Sequence, residues 1–194
     1  MEASITPADL GADWTEADDA GGFFKSSIDD CLTEGDSPLT GSDLYYSGPS
    51  FEDGTGEAVI SSQTFVFSTE EAARQFTDLR DTEQFADCRH RDDSYDQSFN
   101  DDLSDLRLSK SDTAGVDIGG LVAYYEQETV TPDDTVTYVY SHYTFRTGPV
   151  VYVVSVSTGV PDDAESAQAL HAELTDAING ARSGIDSRLA SLDL

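Results

Sequence analysis

Three β-rich runs set end to end constrain this chain more than any other feature. They are Gly120–Val130, Thr135–Arg146 and Val150–Thr158, separated by Pro132-Asp133-Asp134 and Gly148-Pro149. Parallel neighbours need a crossover of a dozen or more residues, so connections this short force adjacent strands to run antiparallel. Residues 120–158 therefore read as a meander, and a meander must cover at least one face with something else. Ser68 with Glu71 three residues on reads as a capping box opening a helix over 68–80, with Ala72, Phe76 and Leu79 on one side. Asp162 reads as the N-cap of a helix over 162–178, striped by Ala167, Leu170, Leu174, Ala177 and Ile178. Gly180 and Gly184 weaken any continuation of that helix toward Leu189.

The first half follows the same logic with weaker signals. Leu10 and Trp14 stand in a turn-rich opening as anchors for a core. Phe24, Ile28, Cys31 and Leu32 share one side of an expected helix over 20–33. Residues 57–67 form an expected strand, with Val59, Ser61, Gln63, Phe65 and Phe67 alternating against Ala58, Ile60, Ser62, Thr64 and Val66. Short strands are expected at Asp43–Tyr46 and around Leu106–Leu108, and Gly54-Thr55-Gly56 reads as a turn. The order is α+β: an antiparallel β-sheet of about five to six strands with helices packed on it. At 194 residues, with no internal repeat or linker, the chain reads as a single domain over 1–194.

Charge decides which partners are excluded. The chain has 39 acids against 10 bases, a formal net charge of −29, and Lys25 and Lys110 are its only lysines. Nucleic acid and anionic membrane surfaces both require a basic face, so both are excluded. No run approaches the ~18 apolar residues of a membrane helix, so no transmembrane segment is expected. The acids are spread along the chain, and self-repulsion of that size is relieved at molar salt. The Asp-rich, Lys-poor composition resembles proteins of halophiles, which reads as adaptation of the surface to salt; the alternative is a secreted protein of a bacterium whose proteome is ordinarily acidic.

Chemistry is sparse. The nucleophile elbow, the His-Glu-x-x-His pattern and the calcium loop are all missing from the sequence, so no cofactor, no metal and no catalytic residue is assigned. Cys31 and Cys88 lack metal-ligand spacing, leaving two buried thiols or one disulfide. The disulfide is the favoured reading, and it implies an oxidising compartment. Along Thr135–Arg146 one strand face carries Tyr138, Tyr140, His142, Thr144 and Arg146. Pockets combine aromatic walls with a few convergent polar groups, so Tyr138, Tyr140, His142 and Arg146 are the candidate ligand-binding residues.

Several elements recur together: Asp9-Leu10-Gly11-Ala12-Asp13-Trp14, a cysteine ending the first helix, and a strand running into Phe67-Ser68-Thr69-Glu70-Glu71-Ala72. A second cysteine follows that helix, and the chain closes with a meander and an Ala-rich helix. This pattern resembles the extracytoplasmic sensor-like domains of actinobacterial lipoproteins and PknH-type receptor kinases. In that resemblance Cys31 and Cys88 fall where the family's first disulfide lies, and the family's frequent second pair is missing. It implies a non-catalytic extracytoplasmic binding or sensor-like module, secreted or lipid-anchored with its leader absent from this chain. The ligand is an unknown small molecule or protein. The alternatives are a small hydrolase or isomerase using His142 on the Tyr/His/Arg face, and a protein of a halophile's cytoplasm.

Overall fold

The computed structural model describes residues 4–17, 42–56, 58–80, 103–110, 124–132, 138–159 and 164–192. Helix α1 (Pro7–Leu10) and strand β1 (Thr15–Glu16) lead into β2 (Ser42–Glu52), β3 (Ala58–Phe67) and helix α2 (Glu70–Arg80). Strands β4 (Leu103–Lys110), β5 (Tyr124–Pro132), β6 (Tyr138–Thr147) and β7 (Val150–Gly159) follow, and helix α3 (Ala164–Ala190) closes the chain. The sheet is antiparallel throughout, in the order β1-β2-β3-β7-β6-β5-β4. The expected α+β class and the meander are both present. Among the described residues the sheet has seven strands, the smallest being the two-residue edge β1.

Alternation along β3 and β7 divides the core into two layers. Ala58, Ile60, Val150, Tyr152, Val154 and Val156 pack with Ala177, Ile178, Ala181, Ile185 and Leu189 of α3, together with Ile5, Leu10 and Trp14. On the opposite face Phe65, Phe67, Val151 and Val153 pack under Ala73 and Phe76 of α2. The Phe76 ring lies 5.2 Å from both Phe65 and Phe67, within the range of favourable aromatic pairing. Leu10 and Trp14 are core anchors, as their positions in the sequence imply.

Four local expectations need correction. Helix α2 is capped by Thr69, whose Oγ1 accepts the Ala72 amide at 3.1 Å, and not by Ser68. Glu71 pairs instead with Arg74, which also reaches Asp78. The strand expected at Asp43–Tyr46 extends over Ser42–Glu52, because a register irregularity between Ser47 and Ser50 lets β2 follow β3 past Gly48 and Pro49. The strand expected around Leu106–Leu108 runs over Leu103–Lys110, since pairing with β5 recruits flanking residues of low β-propensity. The helix expected to end at 178 continues to Ala190, straight through Gly180 and Gly184. The helix expected over 20–33 and the Asp162 cap lie outside the described residues.

Those two glycines are contact positions. A Cβ on Gly180 would collide with the Asp9 carbonyl oxygen, and one on Gly184 with the Asp9 carboxylate. The four-residue spacing puts both on one side of α3, where α1 lies against the bare helix backbone. Asp9 is fixed there by Arg188, whose Nη1 and Nη2 donate to Oδ1 and Oδ2 at 3.0 and 2.8 Å. Arg188 Nη2 also donates to the Ser4 carbonyl at 2.6 Å, and Asp9 accepts the Thr6 amide at 2.7 Å.

Burial by itself would raise the Asp9 pKa. The Arg188 and Thr6 hydrogen bonds outweigh it and hold the carboxyl below its ordinary 3.8. A depressed folded pKa contributes stability that is full above the unfolded value and is lost as pH falls through the folded one. Asp9→Asn is therefore expected to melt below the wild type at pH 7. The gap should close as both are titrated downward from pH 4, which melting curves across pH 2–7 would check. A gap independent of pH would mean that the Asp9 charge contributes nothing.

Candidate functional site

The face of β6 that carries the sequence-derived candidates is the one that packs toward α2, and the sheet register divides it. At the α2 end, Arg146 is opposite Val151 in the ladder, and its Nη1 donates to Glu70 at 3.1 Å. Arg146 thus joins the sheet to the first turn of α2. Two positions back, Thr144 is opposite Val153, which pairs in turn with Gln63 of β3. Two further back, His142 is opposite Ser155, which pairs with Ser61, the partner of Ser50. Tyr140 and Tyr138 take the next alternate positions, opposite Ser157 and Gly159. The register therefore places all four candidates along one face, with Arg146 in an ion pair.

Beyond the Phe65–Phe76 patch the same face changes character. Ser50 is 3% exposed, Gln63 6%, His142 6% and Thr144 0%, while Ser61, Ser155 and Ser157 keep partial exposure. His142 Nδ1 and the Ser155 hydroxyl are 2.9 Å apart in a hydrogen bond whose donor depends on the imidazole tautomer. Ser50 Oγ, Gln63 Oε1 and Thr144 Oγ1 are fully buried without a hydrogen-bond partner among the described residues. Leaving a buried polar atom unsatisfied costs about 1–3 kcal/mol. Three of them lie on one face of the adjoining strands β2, β3, β7 and β6, which makes this the polar layer of the sheet.

Sequence reasoning misses Gln63, Ser50 and Ser155 as site residues. The available signal is the interruption of apolar alternation by Ser61 and Gln63 in β3 and by Ser155 and Ser157 in β7. In a strand flanked by buried partners, polar residues at inward positions are the informative ones.

The opposite face is satisfied by contrast. Tyr152 donates to Asp186 at 2.8 Å and Thr147 donates to the same oxygen at 3.0 Å. Burial, and then the bond to Asp186, push the Tyr152 phenol far above its ordinary pKa, so it stays a neutral donor. Arg182 lies 3.6 Å from Asp186 and stacks over Phe145. These contacts fasten α3 to the β6–β7 hairpin. Among the described residues no group of three His, Cys, Asp or Glu could hold a metal ion, and no helix is long and apolar enough to cross a membrane. Cys31 and Cys88 lie outside the described residues.

No family model matches the chain, and no curated protein matches it. Among solved structures it is similar to the extracellular domain of PknH from Mycobacterium tuberculosis, with a TM-score of 0.39 and 13% identity. The match covers 86% of this chain and 81% of that one.

Proposed function

We propose that this chain is a non-catalytic extracytoplasmic binding or sensor-like module, a single domain whose ligand seats on the polar layer of the α2 face. One observation carries the reading: Ser50, Gln63 and Thr144 each bury a side-chain oxygen with no hydrogen-bond partner among the described residues. Folded proteins pair nearly all of their buried polar groups, so three such atoms on one face support a ligand site there. The extracytoplasmic assignment rests on the cysteine pair at Cys31 and Cys88, read as a disulfide.

The hydrogen bond of His142 to Ser155 favours a second reading, a hydrolase with Ser155 as nucleophile and His142 as base. Ser155 sits in the middle of β7, paired with β3 and β6 on both sides. The backbone N–H groups around it are engaged in those ladders and are not free to stabilise an oxyanion, the interaction on which acyl transfer depends most. The pair suits orientation of a ligand better than attack on one. A fluorophosphonate probe is accordingly expected to leave Ser155 unmodified. A Ser155 adduct that disappears in His142→Ala would establish the hydrolase.

Native mass spectrometry on protein purified from its own source tests the binding reading. The expected result is a bound small molecule, recovered chemically unchanged and missing from Thr144→Val, with Cys31 and Cys88 alkylated only after reduction. Ligand-free protein with both thiols reactive at once would contradict it.

A further inference from the structure

The two ends of the chain are fastened to each other. Arg188, in the last turn of α3, donates to both Asp9 carboxylate oxygens and to the Ser4 carbonyl, so a single side chain grips the opening segment at two points. Asp9 also accepts the Thr6 amide at 2.7 Å and the Thr6 hydroxyl at 2.9 Å, which closes α1 on itself. The Ile5 amide donates to Ser62 Oγ of β3 at 3.1 Å. Gly48 of β2 gives Ser4 its room, since a Cβ at that position would come within 2.9 Å of the Ser4 Cβ. Ile5, Leu10 and Trp14 enter the buried cluster that also holds Ile178, Ala181, Ile185 and Leu189 of α3.

Gly180 and Gly184 make this docking and the integrity of α3 depend on each other. Glycine is among the poorest helix formers, and both glycines stand where Asp9 lies against the helix. While α1 is in place, the close contact compensates for them. Once α1 leaves, the second half of α3 keeps two helix-weakening residues and loses the packing of Ile5, Leu10 and Trp14. The sheet is held separately: β3 is paired along its length with β2 and β7, and β7 with β6. Proteins open in contiguous cooperative units, some of them less stable than the whole fold. We propose that residues 4–14 and the α3 stretch from Gly180 to Ala190 form one such unit, a clasp that undocks as a whole while the sheet stays folded. Asp186 lies in that stretch and accepts both Tyr152 and Thr147. Opening the clasp therefore loosens the β6–β7 hairpin beside Arg146, the residue that joins the sheet to α2.

Native-state hydrogen exchange of the full chain, read residue by residue by NMR across sub-denaturing urea, tests the clasp. The reporters are the amides of Ile5 and Thr6 in the opening segment, of Ala181, Ile185 and Leu189 in α3, and of Ser61, Gln63, Val151 and Val153 in the sheet. The first two groups are expected to exchange together, with one rate and one urea slope. That rate should be at least about tenfold faster than the sheet's, and the slope shallower, because less surface is exposed. Asp9→Asn is expected to accelerate the opening segment and α3 by the same factor, about tenfold or more, and the sheet by no more than that factor. Arg74→Gln, which alters only an exposed ion pair of α2, is the control and should leave both ends of the chain at their wild-type rates. One rate and one slope for the opening segment, α3 and the sheet would overturn the proposal, because the ends would then open only with the whole fold. Fast exchange of the opening segment with α3 at the sheet's rate would overturn it too, because the glycines would then be packing positions with no hold on the helix. The wild-type pattern decides between these outcomes by itself, whatever Asp9→Asn does to folding.

Discussion

Gly184→Ala is expected to lower the melting temperature by roughly 6–12 °C, corresponding to a loss of about 3 kcal/mol in a chain of this size. Alanine in a helix interior is ordinarily better than glycine by about 1 kcal/mol, so a glycine that only weakened α3 would give the opposite sign. The loss follows from the approach of α1, because the new methyl would occupy the space of the Asp9 carboxylate. Forcing Asp9 away would also break its paired bonds to Arg188. Asp9 is 8% exposed and Arg188 23%, so the broken pair accounts for about 2–3 kcal/mol of that loss, somewhat under the ~3–5 of a fully buried one.

A double-mutant cycle separates collision from helix propensity. In an Asp9→Ala background the carboxylate is gone, and Gly184→Ala should then cost little or become favourable. Gly180→Ala should stay harmful there, because its Cβ meets the Asp9 carbonyl oxygen, which every residue retains. Thermal melts of the three single and two double variants read both effects. Additive behaviour of Asp9→Ala and Gly184→Ala would contradict the contact.

The second large effect is salt. A compact body of charge −29 sheds on the order of 10 kcal/mol of self-repulsion between about 0.1 and 1 M salt, as the screening length falls from about 10 to 3 Å. The unfolded chain, being expanded, gains less, so the difference appears as stability. Set against the 5–15 kcal/mol that folded domains typically have, this predicts a chain of marginal stability in dilute buffer. The melting temperature is expected to rise by at least about 10 °C from 0.1 to 2 M sodium chloride, with most of the gain below 1 M. Sucrose at matched osmolality stabilises through exclusion from the surface and not by screening, and it should give a smaller rise. A flat melting temperature in sodium chloride would rule out adaptation to salt.

The same residues show where sequence reading reaches its limit. The meander was legible because its turns leave no room for any other connection, and the two faces of β3 and β7 were legible because side chains alternate with a period of two. Gly180 and Gly184 carry no such mark: a helix-weakening glycine and a contact glycine look alike until α1 is placed against them. The partner that explains them, Asp9, pairs with a residue 179 positions away, which no local pattern reveals. Local pattern also understates the lengths of β2 and β4 for a related reason, since β3 and β5 supply the pairing that their own residues do not advertise. At the candidate site, the common face of Tyr138, Tyr140, His142 and Arg146 followed from alternation. The ion pair of Arg146 with Glu70, and the buried oxygens of Gln63 and Ser50, came from strands and a helix distant in sequence.

The most direct test of the polar layer as a ligand site is a high-resolution crystal structure of the protein purified from its own source. Density is expected there for an organic molecule, larger than water, within hydrogen-bond distance of Gln63 Oε1, Thr144 Oγ1 and Ser50 Oγ. Isolated waters on those three atoms, or protein groups hydrogen-bonded to them, would contradict it.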